Sequence, residues 1–473
     1  MGTGDQICMS APVIWILLPL AVATVMSLIN NQRLLSILGG STAVALAALA
    51  QFVPMEEAMR IGPLSLKINS SLEFLGRSLQ LRPAEGHLLA LVYSTAALWL
   101  FGAEAANVAR RIVPLGMIIT ALLVASIAVQ PFLFAALFIE MAILLSIPLL
   151  VPMNAPPRRG VIRFLIYQTL GMPFILLAGW LLAGVEASPG DVALVAQSGA
   201  MLGLGFAFLL AVFPFYNWIP MVMEEASPFI VGFLLWILPT MTLIFGMNFL
   251  DRYSWLRSAP QLVTTLRLAG LLMVVTGGLW AAFQHHLGRV MAYAAITEMG
   301  FTLLALSLDY STAVPLIFLL IAMRGPGLAV WSLSLTIFKE QALAMRFSSV
   351  KGMLRKSPIA SAGILLASLS TAGFPLLAGF PTRLALWESL ARASLGAAFW
   401  MGIGLLGLLS ISFRMMAVLS MTEEYTSWER RESWTQLIML GLGMIGLFIL
   451  GIFPQLTQIV LADLPIMFDH LGR

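Results

Sequence analysis

The chain has 473 residues, of which 60% are apolar and only 10% are charged, whereas roughly 25% of residues are charged in an ordinary soluble domain. The formal net charge is +4, and the mean hydropathy is +0.95. A soluble fold of this length cannot hide so many apolar side chains, because its surface must be largely polar. The composition therefore excludes a soluble protein and predicts a single transmembrane domain over residues 1–473.

The content of metal-binding side chains limits the chemistry that the chain can carry. Its one cysteine, Cys8, excludes a disulfide framework and an iron–sulfur cluster, which needs about four thiolates. The four histidines are His87, His285, His286 and His470. They are too few and too scattered for a haem or a multi-histidine metal centre. We therefore expect no cofactor, no metal site and no redox chemistry in this chain.

Apolar runs of about 17–25 residues predict transmembrane helices. Fourteen such runs occupy approximately residues 11–29, 34–53, 86–103, 113–129, 131–151, 161–184, 198–222, 228–250, 262–284, 290–308, 313–338, 357–381, 395–420 and 435–460. If the N-terminus is outside, the inner loops hold fourteen Lys and Arg residues and the outer segments hold eight, which favours both termini outside. The longest connection, residues 55–85, is predicted to be a turn-rich excursion rather than a domain. The fold class is therefore all-α and polytopic.

The seventh and twelfth runs contain the same phrase, A-x-F-P-x5-P. One copy begins at Ala211, and the second begins 161 residues later, at Ala372. Five predicted spans lie within that offset, and an odd number of crossings reverses the orientation of the second copy. Two inverted five-helix repeats are therefore predicted, over approximately 113–250 and 262–420. Because proline removes a backbone hydrogen bond, we expect the seventh and twelfth helices to be broken at Pro214 and near Pro375.

Paired broken helices in two inverted halves are typical of an ion or substrate path. The alternative is that these prolines only kink two packed helices. Two acidic residues fall at corresponding places in the halves, Glu140 in the fifth span and Glu298 in the tenth. A carboxyl group inside the membrane can exchange protons, although a neutral carboxyl that is hydrogen-bonded to a neighbouring helix would give the same pattern.

The basic residues within or at the ends of the spans are arginines, among them Arg324, Arg383 and Arg414, and no lysine lies within a predicted span. Arg324 sits in a Gly- and Pro-containing stretch that predicts a break in the eleventh span. Because arginine stays protonated, these residues can hold a carboxylate in place but are poor proton carriers. His285 and His286 end the ninth span, where they are either a proton relay or interfacial anchors.

Two G-x-G-x-x-G matches begin at Gly402 and Gly441, inside apolar runs. Neither follows a predicted strand, so dinucleotide binding is rejected. Close helix packing through small residues explains them better.

Three segments resemble one family. Residues 213–220 are similar to the family's Phe-Pro-Phe-His-x-Trp-Leu-Pro, residues 289–301 to Lys-Arg-x-x-Ala-Tyr-Ser-Ser-Ile and its continuation, and residues 374–383 to Pro-Pro-x-x-Gly-Phe-x-Gly-Lys. The family comprises the antiporter-like membrane subunits of respiratory complex I, with relatives in membrane-bound hydrogenases and multi-subunit cation/proton antiporters. The resemblance implies a subunit of a proton-translocating membrane arm, with Glu140 at the family's fifth-helix glutamate.

The departures from the family concern its lysines. Leu209 stands at the seventh-helix lysine, and Arg383 stands at the twelfth-helix lysine. The eighth helix has no lysine and is expected to be interrupted at Pro239. The family's central row of titratable lysines is therefore missing, which predicts a dry gap around Leu209 and leaves a path past Glu298, Arg324 and Arg383.

Three functions remain open. The chain is a proton-moving subunit of a complex I-like NADH:quinone oxidoreductase, a non-conducting structural subunit of a related complex, or a stand-alone cation/proton antiporter. The first two imply other membrane subunits and lipids as partners, and none of the three implies nucleic acid. We expect a multi-pass protein of a prokaryotic plasma (inner) membrane. The sequence alone leaves open the complex, its electron donor and the choice between H⁺ and Na⁺.

Overall fold

The structure is a computed structural model that describes residues 6–61, 64–74, 76–152, 156–187, 191–342, 344–421 and 431–471. Most of the described residues are helical. We number the helices of eight residues or more: α1 Leu18–Ser27, α2 Gln32–Phe52, α3 Gly86–Ala105, α4 Ile112–Ala128, α5 Ala135–Leu150, α6 Arg159–Ala187, α7 Val192–Leu209, α8 Trp218–Glu225, α9 Pro228–Arg252, α10 Pro260–Phe283, α11 Leu287–Leu306, α12 Tyr310–Gln341, α13 Pro358–Thr371, α14 Gly379–Ala393, α15 Leu395–Ser420 and α16 Trp434–Ile452.

In the described part of the chain, eleven helices are long and apolar enough to cross a membrane. Three shorter apolar helices accompany them. They are Val13–Met26, which includes most of α1, Ile112–Ala128 (α4) and Pro358–Thr371 (α13). The protein is therefore an integral, multi-pass membrane protein. Of the most apolar stretch of each helix, 94% is buried in α9 and 89% in α11, but only 11% in α16. Helices α9 and α11 therefore form the centre, and α16 lies at the periphery.

The chain leaves helical geometry between α7 and α8 and again between α13 and α14. Pro214 and Pro375 lie in these two interruptions. Both α7 and α13 end in the same way, with a left-handed residue, Ala211 (φ 49°) or Gly373 (φ 76°). The amide of the next residue bonds to the carbonyl five residues back, 2.8 Å from Val212 in one case and 2.9 Å from Phe374 in the other. This pattern is a Schellman motif, which satisfies helix-end carbonyls.

At two other prolines the helix continues, and the sequence-based expectation is wrong. Pro239 lies inside α9, and Pro326, two residues after Arg324, lies inside α12. A proline within a helix removes one hydrogen bond but need not end the helix if another donor reaches the freed carbonyl. For Pro239 that donor is the Arg324 side chain, which reaches the Leu235 carbonyl.

Residues 55–85 hold four strands rather than turns alone, so the all-α prediction misses two small sheets. One sheet has the order β1-β3-β2, formed by β1 Gln6–Ser10, β2 Ala58–Ile61 and β3 Leu64–Asn69, with β1 parallel and β2 antiparallel to β3. The other has the antiparallel order β4-β5-β6, formed by β4 Ser71–Phe74, β5 Arg77–Gln80 and β6 Val129–Gln130. The missed signal is the alternation of apolar residues at 64, 66 and 68 and at 72 and 74.

Helices α10 and α15 pack at close range through glycines. A Cβ added at Gly278 would lie 2.1 Å from the carbonyl oxygen of Gly404, and one at Gly407 would lie 2.4 Å from that of Gly278. The first G-x-G-x-x-G match therefore serves helix packing. In the second match a Cβ at Gly443 would meet Val330, whereas Gly441 and Gly446 face open space, so packing accounts for only part of it.

Candidate functional site

Buried polar groups lie in two places in the helical domain, on α5 and α6 and on α11 and α14. Glu140 on α5 is 9% exposed, and the Thr169 hydroxyl on α6 donates a hydrogen bond of 2.8 Å to its Oε1. Glu140 Oε2 is buried and has no hydrogen-bond partner among the described residues. Glu140 therefore faces the interior of the helical domain, and its hydrogen-bond partner lies on α6. The free oxygen can take a proton or accept a hydrogen bond from water.

The end of α7 is held by a neutral side chain. Gln168 Nε2, on α6 next to Thr169, donates to the carbonyl oxygens of Phe208 and Leu209 at 3.3 and 3.2 Å. The Leu209 side chain is 3% exposed and packs on Gly171 of α6, where an added Cβ would lie 2.5 Å from Leu209 Cγ. An apolar side chain therefore occupies the place where the family has a lysine.

A small cavity of about 20 Å³ lies beside Leu209, between α9 and α11. Its lining includes Gln168, Leu209, Leu235, Pro239 and Met299, and most of that lining is apolar. A cavity of this size holds about one water molecule. It is too small for a chain of waters.

On the far side of the cavity, Arg324 of α12 binds to the gap that Pro239 creates in α9. Pro239 has no N–H to donate to the Leu235 carbonyl four residues earlier, and Arg324 Nη2 donates to that carbonyl instead. Arg324 Nη1 also contacts Met299 Sδ at 2.7 Å. The guanidinium thereby links α12 to α9 and α11, and it explains why α9 continues through Pro239.

A buried ion pair joins α11 to α14. Glu298 on α11 and Arg383 on α14, each 5% exposed, form an ion pair through Glu298 Oε1 and Arg383 Nη2. Arg383 Nε also donates to the carbonyl of Thr371, the last residue of α13, at 3.3 Å. Its guanidinium carbon lies 4.2 Å from the centre of the Phe301 ring. Arg383 thus satisfies both a carboxylate and an end of the broken helix, and Arg324 adds a second positive charge that attracts Glu298 and repels Arg383.

His285 and His286 lie elsewhere, at the junction of α10 and α11. His285 Nε2 is 3.4 Å from an amino group of Arg414. His286 accepts a hydrogen bond from the Arg289 amide at 3.4 Å and so caps the start of α11. Burial lowers the pKa of His286 below its ordinary value, and Glu224 opposes this shift. These contacts place both histidines where α10 ends and α11 begins.

Two of the contacts were missed from the sequence. Gln168 and Thr169 are a polar pair inside the apolar run 161–184, and this break in apolarity was the available signal. The link from Arg324 to the Leu235 carbonyl had only half a signal, because Pro239 marks that carbonyl as free but the sequence does not say which donor reaches it. In the described part of the chain, no group of three or more His, Cys, Asp or Glu residues is placed to hold a metal ion.

Comparison with known proteins finds a family model that matches part of the chain. Residues 181–410 match the family model described as "NADH:quinone oxidoreductase/Mrp antiporter, TM". Over this region, just under half of its length, the chain is similar to this family. The matched region contains all three segments on which the resemblance was based, so that prediction is confirmed. Glu140 lies outside it.

Relatives and solved structures extend the match. The chain is 27% identical over 319 residues to "NADH-quinone oxidoreductase subunit 14" of Thermus thermophilus, covering 64% of this chain and 68% of that one. It is 26% identical over 336 residues to "NADH-quinone oxidoreductase subunit N" of Ectopseudomonas mendocina, covering 62% and 63%. The aligned part thus spans about two thirds of the length of these family members.

Among solved structures, a chain of respiratory complex I from Thermus thermophilus with bound NADH superimposes with a TM-score of 0.77, at 20% identity over 98% of this chain and 100% of that one. A chain of the Mrp complex from Dietzia superimposes with a TM-score of 0.80, at 15% identity over 97% of both chains. These likenesses show that the chain shares the fold of these proteins over nearly its whole length.

Proposed function

We propose that this chain is an antiporter-like membrane-arm subunit of a proton-translocating, complex I-like quinone oxidoreductase. The names of its relatives support this assignment, and so does the fold that it shares with a subunit of complex I. The observation that carries the proposal is the buried Glu298–Arg383 pair at the broken α13–α14 helix. Buried ionisable groups within a membrane usually serve ion movement or helix association. Since these relatives are bacterial, the membrane is a prokaryotic plasma membrane.

We further propose fourteen spans and two inverted repeats, over approximately 113–250 and 262–420. The eleven long and three shorter apolar helices support the number of spans. The matching Schellman ends at Ala211 and Gly373, together with the repeated phrase, support the inverted repeat. In this arrangement Glu140 and Glu298 are corresponding groups of the two halves.

The proposed proton path is interrupted between the halves. Gln168 and Leu209 supply neither a charge nor a titratable group, and the adjoining cavity holds about one water molecule. Proton movement in this subunit therefore runs through the second half, past Glu298, Arg324 and Arg383. Glu140 is a separate proton-exchanging group in the first half.

The second candidate is a non-conducting subunit that connects its neighbours, as part of a complex I-related hydrogenase or antiporter complex. The observation that favours it is that both buried guanidiniums are bound to helix carbonyls, Arg324 to Leu235 and Arg383 to Thr371. Groups held in this way stabilise packing and do not release protons.

Co-purification tests the assignment to an assembly. The full-length tagged chain is extracted from its native membranes in a mild detergent, and the proteins that accompany it are identified by mass spectrometry. We expect other membrane subunits related to NADH:quinone oxidoreductases. A chain that purifies alone and exchanges cations for protons in liposomes would contradict the proposal and identify a stand-alone antiporter.

Proton transfer separates the two candidates. Redox-driven proton transfer is measured in liposomes that hold the purified assembly with Glu140→Gln or Glu298→Gln, at matched assembly levels. A conducting subunit loses transfer in the Glu298 variant. Unchanged transfer in both variants identifies the non-conducting subunit.

A further inference from the structure

A polar cavity lies at the junction of α10 and α11. It has a volume of about 390 Å³, and its charged and titratable lining residues are Glu224, His285, His286, Arg289 and Arg346. Helix α10 ends at Phe283 and α11 begins at Leu287, and both are long and apolar enough to span a membrane. The cavity therefore lies at a boundary between membrane and water.

The charges around this cavity do not cancel. Glu224 and Arg289 neutralise each other through an ion pair of 2.6 Å. Arg346 is exposed, and no acidic partner of it is found among the described residues. Arg414 approaches from α15, where it donates to the Ala282 carbonyl at the end of α10 and lies 5.6 Å from the Phe347 ring centre. Two guanidiniums thus remain without a carboxylate, and the cavity favours an anion.

Large apolar side chains are exposed on the helices that flank the cavity. Trp280 and Phe283 of α10 and Phe413 of α15 are exposed large side chains. Their helices pack against each other at Gly278 and Gly404. Since both helices are long and apolar enough to cross a membrane, exposed side chains on them can meet lipid. A ligand that uses both surfaces has an anionic head and a hydrocarbon tail.

We propose that this cavity binds the phosphate group of an anionic phospholipid from the surrounding membrane. Arg346 and Arg414 bind the phosphate, and an acyl chain lies along Trp280, Phe283 and Phe413. An arginine has five N–H donors, so Arg414 can bind phosphate while it keeps its bond to the Ala282 carbonyl. Basic pockets between transmembrane helices are suited to anionic headgroups. This binding site is independent of whether the subunit conducts protons.

The test measures lipid retention by the purified full-length chain in its assembly. The protein is placed in nanodiscs of phosphatidylcholine with added phosphatidylglycerol, re-extracted, and analysed for bound lipid by mass spectrometry. We expect Arg346→Gln/Arg414→Gln to weaken phosphatidylglycerol retention by at least about tenfold, since each basic residue near a membrane surface contributes several-fold. The control Arg158→Gln/Arg159→Gln removes the same charge from two exposed residues at the start of α6 and should change retention by less than about twofold.

Three results would overturn the proposal. One is equal retention in the wild type and the Arg346/Arg414 variant. Another is displacement of the lipid by inorganic phosphate as readily as by phosphatidylglycerol, which would indicate a site for soluble anions. A third is the loss of an accompanying protein subunit without a change in lipid, which would identify a protein interface. If the double variant does not assemble, Arg346→Gln alone gives the test, because this exposed side chain makes no ion pair within the described residues.

Discussion

The Glu298–Arg383 pair makes a quantitative prediction about stability. In Arg383→Met, the Glu298 carboxylate stays buried without its cation, and the Thr371 carbonyl loses its donor. Removal of one partner from a buried ion pair costs about 3–5 kcal/mol. The double variant Glu298→Gln/Arg383→Met removes both charges, so we expect it to be less destabilised than the sum of the single variants by about 2–3 kcal/mol.

The free energy of unfolding is measured by denaturant titration of the purified chain in detergent, for the wild type, both single variants and the double variant. Arg392→Met, on an exposed turn of the same helix, is the control and should change stability by less than about 0.5 kcal/mol. Additivity of the two single changes to within about 0.5 kcal/mol would refute the reasoning. That result would mean that the buried pair is not a coupled unit.

The other predictions concern helix packing and the carbonyl freed by proline. Gly278→Ala would place a Cβ 2.1 Å from a backbone oxygen of α15, so we expect a lower yield of folded chain in size-exclusion chromatography, whereas Gly402→Ala, which meets nothing within 4 Å, should leave the yield unchanged. Arg324→Met should lower the thermal midpoint because it leaves the Leu235 carbonyl unpaired. The same change should cost less in a Pro239→Ala background, where the backbone amide can bond to that carbonyl, and an equal loss in both backgrounds would contradict this explanation.

The sequence alone predicted the features that depend on residues close together in the chain. The repeated phrase at Ala211 and Ala372 predicted interruptions at Pro214 and Pro375, because proline acts on its own turn of helix. The same local rule failed at Pro239 and Pro326, where α9 and α12 continue. Whether a helix survives a proline depends on donors from other helices, and these are set by tertiary packing.

The candidate site shows the same difference between features that are local in sequence and features that depend on tertiary packing. Glu140, Glu298, Arg324 and Arg383 could be singled out because a charged residue in an apolar run is visible in the sequence. Their partners could not be predicted, since Glu298 and Arg383 lie 85 residues apart. The strands in residues 55–85 were overlooked because four to six alternating residues give a weak signal beside helical runs of about twenty.

The most direct test of the interrupted proton path is a cryo-electron microscopy map of the purified assembly. Its resolution must be high enough to place ordered waters. We expect waters near Glu140 and near the Glu298–Arg383 pair, and about one in the cavity of about 20 Å³ between Gln168, Leu209 and Met299. A continuous chain of waters past Leu209, joining Glu140 to Arg324, would contradict the account.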